Sequence, residues 1–175
     1  RTVYNSLVTD GLIQRKKHYD QLHLYAEAAA NLYGVISQDD FVALFNSQNE
    51  DITSKEELFD ALIRHIVVDA GYCFWDKYIV DIGFEDNGFA DVSDLLAQIG
   101  DKPRYIPEKK EFLKYADWRY FEHNEHSRNL GDYLIHVCGV APLLVPKIVT
   151  ELHESCMLSE SFQNRFDLLA EHGIE

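Results

Sequence analysis

Gly71-Tyr72-Cys73-Phe74-Trp75-Asp76-Lys77-Tyr78-Ile79-Val80-Asp81-Ile82 is the stretch on which the fold turns. Two runs rich in aromatic and β-branched residues flank the polar pair Asp76-Lys77, a pattern that predicts a β-hairpin. Working back from it, Ser54 with Glu57 three residues later predicts a capping box that opens a helix. Leu58, Phe59, Leu62, Ile63 and Ile66 would be its wide buried face. The polar run Gln48-Asn49-Glu50-Asp51 precedes it, and Ser37 is placed to cap a helix from Gln38 to about Ser47 that buries Phe41, Leu44 and Phe45. Val35-Ile36 is a very short apolar pair. Before it, Leu22, Tyr25, Ala26, Ala29, Leu32 and Tyr33 form one stripe of a helix from about Lys17, stopped by Gly34.

Read forward, the order is helix, short strand, helix, turn, helix, hairpin, which is the order of a winged helix-turn-helix domain. Beyond the hairpin, Leu95, Leu96 and Ile99 mark a short helix ended by Gly100. Pro103 and Pro107 frame a linker, with Pro107 suited to the first position of a helix holding Phe112, Leu113, Tyr115 and Ala116. Three more helices are expected around Leu130-Leu134-Val137-Cys138, Val145-Ile148-Val149-Leu152-Cys156 and Phe162-Phe166-Leu169. The predicted fold is mainly α with a small β-hairpin: an acidic winged-helix-like half, 1–101, packed on a helical half, 102–175.

The chain has 175 residues, 46% of them hydrophobic, enough for a core and too many for a chain disordered throughout. Its 30 acidic and 16 basic residues give a net charge of −14. All of that charge lies between His18 and Asp101, where 17 acids face only Lys55, Arg64 and Lys77. A basic island follows, with Lys102, Arg104, Lys109, Lys110, Lys114 and Arg119. The longest apolar run, near Val140 to Val145, is far short of the roughly 20 residues a membrane span needs. Arg1 stands where an initiator Met would, so a trimmed or processed chain is expected, with functional parts outside it. No secretory signal is legible in the first 30 residues. Cys73, Cys138 and Cys156 are odd in number and widely spaced, which fits buried thiols in a reducing cytoplasm better than disulfides.

The phrases Leu32-Tyr33-Gly34-Val35-Ile36-Ser37, Lys102-Pro103-Arg104-Tyr105-Ile106-Pro107 and Lys114-Tyr115-Ala116-Asp117 resemble a family of uncharacterised bacterial proteins. Some of its members carry a SecA-type cysteine-rich metal-binding tail after such a region. The resemblance implies a fold and no reaction. With neither a Cys-x-Cys pair nor a clustered Cys/His tail in this chain, it carries over no metal role.

Ligand-like pairs do occur: His123-x-x-His126, His136-x-Cys138 and His153-x-x-Cys156. A zinc site needs four tetrahedral ligands, or three and water, and helical spacing turns His136 and Cys138 apart. Asn46 to Glu57 has the outline of a calcium loop, but Asn46 and Gln48 replace the expected Asp ligands and Asp51 the turn glycine. Neither a Gly-x-Ser-x-Gly elbow nor a phosphate-binding glycine loop is present. Tyr120, Glu122, His123, Glu125 and His126 form the densest polar cluster, at a turn between helices.

These readings predict no cofactor, no metal and no catalytic residue. They predict a non-enzymatic protein-interaction module whose acidic face binds a basic partner. Asp39, Asp40, Glu56, Glu57, Asp60, Asp81, Glu85 and Asp86, all outside the apolar stripes, would form that face. Its concrete form would be a DNA-mimic inhibitor of a nucleic-acid enzyme, of the anti-restriction or anti-CRISPR type. Direct DNA binding is disfavoured, because the helix after Ser54 sets Lys55 and Arg64 against Glu56, Glu57 and Asp60, where phosphate neutralisation needs bases. A winged-helix DNA-binding regulator and an enzyme of unspecified reaction are the alternatives.

Overall fold

The computed structural model describes residues 10–122, 124–157 and 162–174. Helix α1, Asp10–Tyr33, begins a full seven residues before the predicted start and ends at Gly34. Gly34 has φ +69, and a Cβ there would meet the Leu95 side chain at 3.3 Å and the Phe84 ring at 3.6 Å, so the reversal and the close approach both favour glycine. Strand β1, Val35–Ser37, leads into α2, Gln38–Gln48, whose first turn is capped by the Ser37 hydroxyl accepting from the Asp40 N–H at 3.0 Å. Helix α3 is Lys55–Asp69, and β2, Tyr72–Trp75, and β3, Tyr78–Asp81, form the expected hairpin.

The three strands make one antiparallel sheet in the order β1-β3-β2, with Val35 opposite Val80 and Cys73 opposite Val80 on its other side. A 3₁₀ turn, Ile82–Asn87, and α4, Ala90–Ile99, follow, and Val92, Leu95, Leu96 and Ile99 of α4 pack on Val35, Cys73 and Val80. The main core lies on the opposite side of the sheet, where Leu22, Tyr25, Ala26 and Ala29 of α1 meet Phe41, Phe45, Leu58, Leu62, Tyr72 and Ile79.

Four expectations change. Ser54 makes no side-chain cap; Glu57 turns instead to the Thr53 hydroxyl, 3.0 Å away. Phe59 is 57% exposed and rests its ring against Phe74 at 6.0 Å, because the buried stripe runs through Leu58, Ala61 and Leu62. Of the three thiols only Cys73 is buried; Cys156 is exposed, and Ser155 takes the buried register. The division between units lies at Tyr120, not at residue 101. Helix α5, Lys109–Phe112, follows Glu108, which makes no side-chain cap, and continues as a 3₁₀ turn, Leu113–Ala116, which packs on α1. Side-chain bonds to carbonyls hold this segment: Asn31 donates to Tyr115 O at 2.8 Å, Tyr33 to Tyr105 O at 2.7 Å and Gln48 to Pro107 O at 2.9 Å. Arg104 in turn donates to Val35 O at 3.0 Å, occupying an acceptor on the edge strand β1.

The second unit, from Phe121 on, holds α6, Glu125–His136, α7, Val145–Met157, and α8, Phe162–Glu171. Leu134, Val145, Ile148 and Val149 are its core, with Phe121, Leu130 and Leu169 packed around them. Asn124 caps α6 by accepting from the Ser127 N–H at 3.0 Å. Among the described residues no helix is long and apolar enough to cross a membrane.

The burial contrast between neighbours on α3 is directly measurable. Leu62→Ala, at 0% exposure, is expected to cost about 2–5 kcal/mol in urea unfolding, and Phe59→Ala about 1 kcal/mol or less.

Candidate interaction surfaces

The eight predicted acidic residues differ in what they touch. Asp39 pairs with Lys55 at 2.8 Å and Asp40 lies 3.8 Å from the Arg104 Nε. Glu57 is only partly exposed, bonded to Thr53 and 3.3 Å from His18 Nε2. Asp81 is half-buried, and its carboxylate accepts from the Gly83 N–H at 2.8 Å to start the 3₁₀ turn; burial pushes its carboxyl above the usual range. Glu57 and Asp81 are held by the fold, while Asp39 and Asp40 stay exposed within surface ion pairs.

Glu56, Asp60, Glu85 and Asp86 remain exposed. Bonds from its own N–H and from the Ser54 hydroxyl keep Glu56 below the usual carboxyl range and therefore ionised. Glu85 and Asp86 sit on the 3₁₀ turn, and Asp91 and Asp94 continue the acidic surface along the outer side of α4. Asp91 and Asp94 were passed over in the sequence, although the inward period of Val92, Leu95, Leu96 and Ile99 would have placed them outside. Among the described residues none of Glu85, Asp86, Asp91 and Asp94 makes an ion pair, and residues 78–101 contain no base.

The outer side of α3 has a different character. Phe59 at 57%, Val67 at 77% and Val68 at 82% exposure accompany Glu56 and Asp60 there. Apolar side chains beside carboxylates suit a protein partner; they contribute nothing to a phosphate backbone.

Where α1, α3 and β2 meet, His23 and His65 stack at 3.9 Å with their planes 6° apart. His23 Nδ1 lies 2.9 Å from the Tyr72 hydroxyl and 3.8 Å from the Glu27 carboxylate, while His65 Nε2 is buried with no hydrogen-bond partner. Glu27 accepts from the Gly71 N–H at 3.0 Å; a Cβ at Gly71 would come within 2.6 Å of that carboxylate, so a larger residue there would make the Glu27 side chain shift. Burial holds both imidazoles below the ordinary value of 6.5, with His65 lowered further by His23 and Arg64 and raised slightly by Asp20. Burial pushes Glu27 and Tyr72 upward. The cluster thus keeps neutral rings in a tight stack.

The remaining chemical candidates have structural occupations. Asn46, first in the calcium-like loop, closes that loop by accepting from Thr53 N–H at 2.8 Å and donating to Thr53 O at 3.0 Å. His153 stacks on Phe121 at 4.6 Å, and His123 lies outside the described residues. Tyr120 donates to Glu111 at 2.6 Å. Among the described residues no three or more His, Cys, Asp or Glu side chains gather as metal ligands would. No family model, curated protein or solved structure matches the chain significantly.

The stacked histidines generate a pH dependence of known sign. Because their folded values are depressed, the unfolded chain takes up the protons first, so their stabilisation is complete above pH 6.5 and is lost as pH falls toward the folded values. Urea unfolding at pH about 7.5 and about 5.5 is expected to show a larger loss for wild type than for His65→Gln.

Proposed function

We propose that this chain is a non-enzymatic, cytoplasmic protein-interaction module that docks acidic surface onto a basic partner. Its first unit is read as winged-helix-like: α1, β1, α2, α3, β2 and β3 follow that order, and α3 stands where such domains carry their recognition helix. The partner class is a basic protein surface, and the concrete form is mimicry of nucleic acid toward a nucleic-acid enzyme. One observation carries the reading: Glu85, Asp86, Asp91 and Asp94 stand exposed and without an ion pair among the described residues, over a stretch without a single base. Holding like charges together is unfavourable for the compact state, and exposed ion pairs elsewhere offset little of that cost.

The outer side of α3 supports a protein over a duplex. Lys55 is already paired with Asp39, and Phe59, Val67 and Val68 are exposed where a DNA-reading helix would present donors. A carboxylate surface of this kind speeds encounter, and its effect fades as salt shortens the screening length to about 8 Å at physiological strength.

The test is capture from cell extract with two baits, wild type and the triple variant Glu85→Lys, Asp86→Lys, Asp91→Lys, followed by kinetics on the recovered partner. The expected result is a basic protein held by wild type alone, with association slowed about tenfold or more, dissociation changed much less and a flatter salt slope in the variant. Equal retention and unchanged association by both baits would overturn the proposal.

A further inference from the structure

We infer that a cleft between α1 and α3 is a binding site for a small phosphate monoester, held between Arg15 and Arg64. The cleft has a volume of about 490 Å³, within the range of small-molecule sites, and is lined by Leu12, Arg15, Lys16, Tyr19, Asp60, Ile63 and Arg64. It is separate from the acidic surface of residues 82–94 and does not depend on that surface's role.

Its construction is specific in three ways. Both guanidinium groups lie over the same Tyr19 ring, Arg15 Cζ at 5.1 Å and Arg64 Cζ at 5.2 Å from its centroid. The Tyr19 hydroxyl further accepts from Arg15 Nε at 3.0 Å and Nη2 at 2.7 Å, which orients that guanidinium at the mouth of the cleft. Among the described residues neither arginine makes an ion pair, whereas the neighbouring Lys16 is committed to Asp20. Arg64 is one of only three bases between His18 and Asp101, and the fold sets it beside Arg15 from another helix.

The chemistry of the lining selects the ligand. Arg64, which makes no ion pair among the described residues, and the donors of Arg15 that Tyr19 leaves open together exceed the needs of one carboxylate and match the several oxygens of a phosphate dianion. Asp60 at the same cleft disfavours a second anionic group and accepts from a hydroxyl or amino group of the ligand. Leu12 and Ile63 supply an apolar wall for its body. A nucleoside or sugar monophosphate carries all three features, so adenosine monophosphate is the probe.

Titration of the full chain with adenosine monophosphate, followed by amide NMR shifts at low ionic strength, tests the site. Saturable shifts centred on residues 12–19 and 60–64 are expected. Arg64→Gln and Arg15→Gln should each weaken binding about tenfold, while Arg119→Gln in the basic island leaves it unchanged. Both arginines are exposed, so the variants should stay folded, with the unfolding midpoint lowered only by the lost contacts to Tyr19. Asp60→Asn should strengthen binding of inorganic phosphate, since it removes a repelling charge. Sodium acetate at equal concentration should give no saturable shift. Absence of saturation up to about 10 mM, equal binding by the arginine variants, or equal binding of acetate would overturn the inference.

Discussion

Helix α1 is buried over more than half of its circumference between Leu22 and Ala30, with Leu24 on the open side, and most of the first unit depends on that enclosure. Leu22, Tyr25, Ala26, Ala28, Ala29 and Ala30 are all at 0–1% exposure, more of the circumference than one amphipathic stripe could bury. Alanine makes this possible. It carries the best helix propensity, loses no rotamer entropy and leaves room for neighbouring backbones to approach. Helices α2 and α3, all three strands and the 3₁₀ turn 113–116 each contact α1. The two large residues in the run do the remaining filling: Tyr25 meets Phe45 at 4.9 Å and Phe112 at 5.2 Å, joining α2 and α5 through one ring.

A helix so enclosed must settle its own polar side chains inside the unit, and this produces the features at its borders. Asn31 and Tyr33 spend their donors on carbonyls of the 102–116 segment; Tyr25 donates to Gln48 at 3.0 Å; Glu27 receives the Gly71 N–H. Buried polar groups cost free energy unless bonded, so each of these pairs fixes a neighbour's position as well as satisfying an atom. His18 Nδ1 and His65 Nε2 are where satisfaction falls short. Burial disfavours the charged form of the stacked His23 and His65 rings, so acid weakens this α1–α3 contact. The acidic segment 82–101 lies across the sheet from this core, where α4 needs only one apolar side, and its carboxylates are left to solvent.

The elements that obey a local period were legible in the sequence. Leu22, Tyr25, Ala26 and Ala29 announce α1, and the break at Asp76-Lys77 announces the hairpin. Asp76 indeed takes φ 51 in that turn. Phe59 was misjudged because an aromatic next to Leu58 looks like core; only the register of Ala61 and Leu62 shows that it turns outward. Placing residues 102–116 on α1, β1 and α2 was out of reach, since the bonds that do it join residues 59 to 84 positions apart and leave no nearby pattern. The charge block was visible at once, yet its pairing was not: Lys55 with Asp39 and Arg104 with Asp40 are products of folding. Arg15 and Arg64, on different helices, share a cleft for the same reason.

The enclosure of α1 makes it the last element to open, whatever partner or ligand the surface takes. Native-state amide hydrogen exchange over residues 10–120 measures this directly, because local openings and global unfolding separate by their denaturant dependence. The account predicts that amides from Tyr25 to Ala30 exchange only through global unfolding, with the highest protection in the unit, while those of α4 and of residues 102–108 open earlier. Protection of residues 25–30 that falls below that of the β2–β3 hairpin or of α4 would contradict it.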